Sequence, residues 1–367
     1  LSGSDERFMA LALSLASRGL GDVWPNPAVG CVIVANGRIA GRGFTAPGGA
    51  PHAETLALEQ AGARARGATA YVSLEPCAHH GKTPPCVDAL IEAGIGRVVS
   101  AISDSDPRVA GRGHQMLRAA GVELRIGVLA EEARELNAGF LLRVEEGRPF
   151  VTLKLAHSFD GRIATASGES KWITCSEARR IVHSMRAHHD AVMIGAGTAR
   201  TDDPLLTVRG SGATRQPVRV VISSELDLPQ KGQLARTARD VPLWLLHGAE
   251  AGSETIAFWR NLGARTFEVR GIGNDGHLDL LAALSTLGEQ GLTRVLCEGG
   301  GALAASLLRA GLVDELAGFS AGRILGAEGR PAVGAMGIGS LADAPHFDLK
   351  EVRPAGSGVL HIWKPAR

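Results

Sequence analysis

The chain has 367 residues, 45% hydrophobic and 21% charged, with 39 Lys+Arg against 38 Asp+Glu and a formal net charge of +1. At roughly 100–200 residues per domain this length predicts two or three domains, and the composition suits a globular chain rather than a disordered one. The charge balance and 4% aromatics with a single Tyr remove the usual electrostatic and stacking grounds for a nucleic-acid binder, and no apolar run reaches the ~20 residues of a membrane helix.

In chain order, Ser4 or Asp5 caps a predicted helix through about Arg18, with Phe8, Leu11 and Leu15 at helical spacing. Val29–Val34 reads as a strand, and Asn36-Gly37 turns it into Arg38–Gly43. A helix over His52–Ala63, a strand over Tyr71–Leu74 and a helix over Cys86–Ala93, stopped by Gly94, follow. Strand Arg97–Ile102, helix Gly113–Ala120, strand Glu123–Gly127 and helix Glu131–Leu142 complete a first α/β set. Arg143–Pro149, charged and carrying Gly and Pro, is the linker candidate, giving domains 1–146 and 147–367.

A second α/β set begins with strand Phe150–Ala156, helix Ser176–His188 and strand Ala191–Ile194. Strands Val218–Ile222, Leu243–Leu246, Thr266–Val269 and Arg294–Cys297 alternate with helices Glu254–Leu262 and Leu278–Gln290. Helix Gly301–Ala310 follows a triple glycine, and Phe347–Arg353 with Val359–Lys364 reads as a closing antiparallel pair.

Five Cys scattered over a long chain favour a reducing compartment over a disulfide framework. Leu1–Asp5 lacks the basic start of a signal peptide, so a cytoplasmic location is expected. Cys31, Cys175 and Cys297 read as small hydrophobes.

Cys77 and Cys86 are different, because His52-Ala53-Glu54 and Glu75-Pro76-Cys77 each sit at a predicted strand–helix junction. His52, Cys77 and Cys86 make three ligands for Zn2+, leaving the fourth place for water, whose pKa bound zinc lowers to roughly 7. Glu54, two residues from the ligand His, is placed to carry a proton from that water to a leaving amine. Such an order of H-x-E, P-C and a second Cys belongs to zinc deaminases. Here eight residues, Ala78–Pro85, separate the two Cys, so this stretch loops out and is expected to line a substrate pocket. His79 and His80 are further ligands, substrate contacts or plain loop residues. Asn26, in Pro25-Asn26-Pro27, either reads a base edge through its amide or simply makes a turn.

PNPAVGCVIV, PHAE and LEPCAHHGKTPPC resemble the deaminase half of the bifunctional riboflavin-biosynthesis deaminase/reductase family, in which the long Cys–Cys spacing is found. That resemblance implies a three-layer cytidine-deaminase-like α/β fold. It also implies a phosphorylated pyrimidine substrate, 2,5-diamino-6-(5-phosphoribosylamino)pyrimidin-4-one, with Asn26 and His79 as substrate contacts.

In the second half, Glu298-Gly299-Gly300-Gly301 follows an apolar strand and opens a helix, a turn that lets backbone N–H groups approach a phosphate. No G-x-G-x-x-G follows the first strand of this half, which excludes a Rossmann reading. Asp202-Asp203-Pro204 is a capped turn or part of a site, Trp172 a core aromatic or a flat wall for a ligand, and Lys154, Arg186 and Arg209 are surface charges or phosphate forks.

LKLAHSFDGRIA, SGESKWIT, TARTDDPLLTVR and CEGGGAL together are similar to the reductase half of the same family, whose fold is dihydrofolate-reductase-like. The resemblance implies NADPH as hydride donor and reduction of the ribosyl side chain to ribityl, giving 5-amino-6-(5-phosphoribitylamino)uracil. It assigns Ala156, Trp172, Thr198, Asp202, Gly300, Gly301, Ala302, Leu303, Ala304, Ala305 and Ser306 to the cofactor. It assigns Ser170, Arg186, Leu206, Arg209 and Glu298 to substrate, and places Lys154 near the phosphate or the reacting ribose. Asp202 is the candidate for orienting or protonating, and association into a homo-oligomer, a dimer through the reductase half, is implied. His157 stands beside the cofactor wall, with an effect the motifs leave open.

Four rival classes remain. A nucleic-acid-editing deaminase fits poorly with the neutral charge and the long Cys–Cys stretch. A stand-alone nucleoside deaminase leaves the phosphate-compatible arginines of the second half without purpose, and a non-catalytic second half leaves Lys154, Asp202 and the glycine turn together unexplained. A closed structural metal site leaves Glu54 unexplained.

Overall fold

In the computed structural model the described residues are 2–78, 84–105, 110–210, 215–273 and 277–366. The chain divides into two compact units, Leu1–Gly147 and Arg148–Arg367.

The first unit contains α1 (Ser2–Ala16), β1 (Gly30–Ala35), β2 (Arg38–Phe44), α2 (Ala53–Ala61), β3 (Thr69–Val72), α3 (Cys86–Glu92), β4 (Arg97–Ser100), α4 (Arg112–Ala119), β5 (Glu123–Ile126), α5 (Ala130–Leu136) and α6 (Ala138–Glu146). Its sheet runs β2-β1-β3-β4-β5. The hairpin partners β1 antiparallel to β2 and β3, while β3, β4 and β5 are mutually parallel. Helices lie on both faces, and two glycines show why. A Cβ on Gly30 would strike the Ala12 carbonyl of α1, and a Cβ on Gly43 would strike the Ala53 carbonyl of α2. Gly43 pairs with Cys31, and successive strand residues face opposite ways, so Gly30 and Gly43 look to opposite faces. The result is three layers around one apolar cluster that includes Met9, Ile33, Leu90 and Leu117.

A buried charge locks α1 to this sheet. Asp5 accepts from Arg97 Nη1 and Nη2 at 3.0 Å each, from Arg125 Nη1 at 2.6 Å and from Tyr71 Oη at 2.9 Å. The Arg97 guanidinium, foremost among these partners, holds the Asp5 carboxyl down at about 2.

Three expectations need correction, the first being the cap: α1 already includes Ser2, so Ser4 and Asp5 lie inside it, and the Asp5 carboxylate is spent on Arg97, Arg125 and Tyr71. The predicted helix Glu131–Leu142 is two helices broken at Asn137. Asn137 is buried and uses its amide on another segment, accepting from Ala28 N at 2.9 Å and donating to Ala28 O at 3.1 Å. The predicted linker Arg143–Pro149 is ordered: its first half continues α6 to Glu146, and Gly147 ends the helix at φ 75°. Arg148 is then buried in the second unit, where Nη1 and Nη2 reach Asp314 at 2.8 and 3.0 Å.

The second unit contains β6 (Phe150–Ser158), β7 (Arg162–Ala164), α7 (Ser176–Ala187), β8 (Ala191–Gly195), α8 (Ala196–Asp202), β9 (Val218–Ile222), α9 (Gln233–Arg236), β10 (Leu243–His247), α10 (Ser253–Asn261) and β11 (Arg265–Glu268). It continues through α11 (Leu280–Glu289), β12 (Arg294–Cys297), α12 (Gly301–Arg309), β13 (Glu315–Ala321), β14 (Arg330–Pro331), β15 (Phe347–Ala355) and β16 (Gly358–Pro365). The main sheet runs β11-β10-β9-β8-β12-β6-β13-β16-β15. Its first seven strands are parallel, and the closing pair β16 and β15 is antiparallel as expected. β8, β9 and β10 are apolar and buried along nearly their whole length, as strands covered on both faces must be. The chain moves outward from β8 to β11 and then returns to place β12 between β8 and β6. Such a switch in strand order opens a crevice at the carboxyl ends, where ligands bind in open α/β sheets.

Candidate functional site

In the first unit three elements converge. His52 is the N-cap of α2, Cys86 is the first residue of α3, and Cys77 follows β3 by a short turn. Their ligand atoms all lie within 4.8 Å of one another. His52 Nδ1 is 3.1 Å from Cys86 Sγ and 3.6 Å from Cys77 Sγ, and the Cys86 N–H donates to Cys77 Sγ at 3.3 Å. A hydrogen bond from the Cys86 thiol, then His52, pulls the Cys77 thiol well below its ordinary range. Bonding to Cys77 raises the His52 imidazole, against the opposite pull of burial. One imidazole and two sulfurs, one of them readily ionised, make a soft donor set that fits zinc with a position left open.

Glu54 is 3% exposed and sits on the inner side of α2. Burial, helped by the neighbouring Cys77, pushes its carboxyl up to about 7, the poise a proton carrier needs at neutral pH. Glu75, the first residue of E-P-C, is not part of the ligand group. Its buried carboxylate accepts from the backbone of Asp104, Gly111 and His114 at 3.1, 3.0 and 3.1 Å, tying the segment after β4 to the end of β3. That supporting role has no local signature, because its partners lie about thirty or more residues away. Asn26 donates to Gly48 O at 3.4 Å, so its amide lies against the turn that leads to His52. His79 and His80 lie outside the described residues.

In the second unit a cavity of about 560 Å³ opens at the switch point. It collects Lys154, Ala156, Ser170, Thr198, Asp202, Glu298, Gly300, Gly301, Ala302 and Leu303. An adjoining recess of about 650 Å³ shares Gly195, Gly197, Ala302, Leu303 and Gly334 with it and adds Ala305, Ser306, Ser223 and Ser224. The two together form an elongated cleft across the N-terminus of α12. Thr198 Oγ1 accepts the Gly300 N–H at 3.0 Å and so sets the glycine turn. A Cβ on Gly301 would come to 2.8 Å from the Pro331 carbonyl, so only glycine allows that turn to pass under the 331–334 segment. A bare-backbone cradle at a helix N-terminus, continued by a second recess, fits a dinucleotide.

The lining charges Lys154 and Glu298 are paired, and Glu298 is also held by Arg186. Glu298 accepts from Arg186 Nε at 2.6 Å and Nη2 at 3.0 Å, and its carboxylate is 3.8 Å from Lys154 Nζ. Burial works to raise the Glu298 carboxyl, but Arg186 and Lys154 overcome it and hold it below its usual range. Burial pulls the Lys154 ammonium down, with Glu298 offsetting part of the effect.

Asp202 ends α8 at the cavity mouth, while Asp203 takes a left-handed φ of 40° and accepts the Gln233 N–H at 2.6 Å. The Asp-Asp pair is therefore both readings at once, one residue facing the cleft and the other capping α9.

Trp172, Arg186, Leu206, Arg209 and Ala304 do not line these two cavities. Trp172 is exposed under the Arg179 guanidinium, 4.4 Å from its ring. The Leu206 and Ala304 side chains are buried. Ser223 and Ser224, which no motif marks, reach the recess because they follow β9 at its carboxyl end, a position legible from the strand pattern. Arg330 reaches the cavity through the small β7–β14 ladder, whose two-residue strand leaves no periodic signal.

Residues 2–102 match the cytidine and deoxycytidylate deaminase zinc-binding region, and residues 149–361 match the RibD C-terminal domain. The riboflavin biosynthesis protein RibD of Escherichia coli is 44% identical over 380 residues, covering 98% of this chain and 99% of that protein. Its counterpart in Aquifex aeolicus is 40% identical, with 98% of each chain covered. Among solved structures, Acinetobacter baumannii RibD superposes with a TM-score of 0.90 at 38% identity over 100% of both chains. The Thermotoga maritima diaminohydroxyphosphoribosylaminopyrimidine deaminase/5-amino-6-(5-phosphoribosylamino)uracil reductase gives 0.87 at 36%, covering 100% of this chain and 99% of that one. Zinc and NADPH are the cofactors that go with the two halves. With relatives of this identity covering nearly its whole length, and the expected cytidine-deaminase-like and reductase folds both present, the chain belongs to the RibD family of bifunctional riboflavin-biosynthesis deaminase/reductases.

Proposed function

We propose that the two units act in sequence on one phosphorylated pyrimidine. The first converts 2,5-diamino-6-(5-phosphoribosylamino)pyrimidin-4-one to its 2-oxo form, and the second reduces the ribosyl side chain to ribityl. The observation that carries the reading is the buried Glu54 beside the His52–Cys77–Cys86 group, in the same chain as a glycine-lined cleft holding Lys154 and Asp202.

Zinc, when bound by His52, Cys77 and Cys86, supplies Lewis-acid activation of water. Glu54 takes a proton from the attacking water and delivers it to the amino group at C2. The C–O bond forms, the C–N bond breaks, and ammonia leaves. Asn26 orients the pyrimidine edge, and His79 contributes from the Cys77–Cys86 stretch.

NADPH, when bound, supplies the hydride. Ala156, Trp172, Thr198 and residues 300–306 would hold it, Gly301 and Ala302 through the backbone at the start of α12. Ser170, Leu206 and Glu298 shape the substrate site, Arg186 and Arg209 face the phosphate, and Lys154 and Asp202 flank the reacting ribose. Three of the five Arg186 donors are already used, on Glu298 twice and on Thr207 O, which leaves the more open fork on Arg209. The domain boundary falls at 146/147, one residue before the end of the first compact unit, the protein works in the cytoplasm, and it assembles as a homo-oligomer through the reductase half. No described helix is long and apolar enough to cross a membrane.

Incubation with the diaminopyrimidine ribosylamine phosphate, zinc and NADPH, read by mass spectrometry, tests the scheme. A product carrying both mass changes supports it. A deaminated but unreduced product removes the second step, and an unchanged substrate removes the assignment of substrate.

A further inference from the structure

We propose that His183 is a positioning residue of the reductase, holding the Thr207–Arg209 segment so that the Arg209 fork meets the substrate phosphate. The inference rests on the reading of Arg209 as the phosphate contact.

His183 and Arg186 stand three residues apart on α7 and so share one helix face. Both reach the same short stretch of chain. His183 Nδ1 accepts the Arg209 backbone N–H at 3.2 Å. Arg186 Nη1 donates to Thr207 O at 2.8 Å while its other edge grips Glu298. Just before this stretch Leu206 is buried with a left-handed φ of 56°. The backbone from 206 to 209 is thus held at three successive points: a core side chain, the Arg186 bond and the His183 bond. The Arg209 side chain is exposed, so its direction depends on where that backbone is pinned.

An acceptor at Nδ1 requires the tautomer with its proton on Nε2, or none on Nδ1. The surroundings favour that neutral form. Burial, then the two guanidinium groups of Arg186 and Arg209, pull the His183 pKa down, against a smaller opposing effect of Glu298. Lysine or arginine at this position has no acceptor for the Arg209 N–H, and alanine has none either. Asparagine offers an amide oxygen in nearly the place of Nδ1.

The test measures reduction of 5-amino-6-(5-phosphoribosylamino)uracil by the full chain, with thermal melting as the fold control. His183→Ala is expected to raise KM about fivefold or more with kcat within about twofold, and His183→Asn to recover most of the loss. Arg209→Ala is expected to raise KM further. The double variant His183→Ala/Arg209→Ala should be no worse than Arg209→Ala alone, because a residue that acts through another does not add to its loss. Independent, multiplying effects overturn the proposal. So does a normal KM for His183→Ala beside a raised one for Arg209→Ala, and so does an Asn variant no better than Ala. A normal KM for Arg209→Ala instead overturns the phosphate reading on which the proposal stands. If His183→Ala does not fold, the comparison of His183→Leu with His183→Asn, each with and without Arg209→Ala, decides by the same criteria.

Discussion

The deaminase centre and the reductase cleft solve different problems with different materials. The first gathers three ligand side chains and one acid from positions 52 to 86, His52, Glu54 and Cys86 at the start of a helix and Cys77 in the turn after β3. The second draws its lining from positions 154 to 334, and much of that lining is backbone or small side chains. A metal site demands particular donor atoms at bond length, so residue identity carries the chemistry. A hydride cofactor brings its own chemistry, so the protein supplies shape, a phosphate-binding helix end and paired charges. Substitutions should therefore hurt the two sites unequally.

The largest effect is expected at the metal. His52→Ala or Cys77→Ala, or treatment with a chelator, should abolish deamination while reduction of the deaminated substrate continues. Metal analysis beside both assays checks this; unchanged zinc content in the variants would remove the ligand assignment. Glu54→Gln is next. It should keep zinc and lose about a hundredfold to ten-thousandfold in deamination rate, the range of a positioned proton carrier. Normal turnover in that variant ends the proton-carrier role.

The cleft should respond more gently. Asp202→Asn should spare deamination and slow reduction about tenfold, and an equal loss of both activities points to misfolding instead. Arg209→Ala should raise the reductase KM about tenfold to a hundredfold, the loss of one or two charged hydrogen bonds, with kcat nearly unchanged. Steady-state kinetics at fixed NADPH separates the two outcomes.

Asp5 sharpens the contrast from outside both sites. Asp5→Ala removes the anion that two arginines share and should destabilise the first unit by about 3 kcal/mol, measured by denaturant unfolding. The native carboxyl titrates at about 2, below its unfolded value, so its contribution is present above about pH 4 and fades as the pH falls toward 2. An acid-unfolding midpoint that Asp5→Asn leaves unmoved would contradict this account.

Much of this molecule was legible along the chain. Strands with apolar, β-branched runs and helices with clear stops fell within a few residues of their places, because local pattern and burial agree there. The misses have tertiary causes. β13 went unread because Gly318 interrupts its apolar run, and that glycine is needed because a Cβ would run into the His361 ring on β16. The break at Asn137 exists to bond Ala28, over a hundred residues away. α8 hid within a stretch of Gly, Thr and Asp, residues that favour turns when nothing else decides.

At the metal group, ligand type and spacing are written locally, so the sequence by itself determined the chemistry: a zinc-binding triad, a nearby acid and two consecutive α/β units. The glycine turn and the conspicuous charges of the second half were visible too, but not their pairing. Only the tertiary structure decided that Arg186 grips Glu298 and Thr207, that Asp202 faces the cleft while Asp203 caps a helix, and that His183 holds the Arg209 backbone. The reason is physical. A metal ligand declares itself by the atom it must offer, whereas a charged side chain takes its role from the partner that folding brings to it.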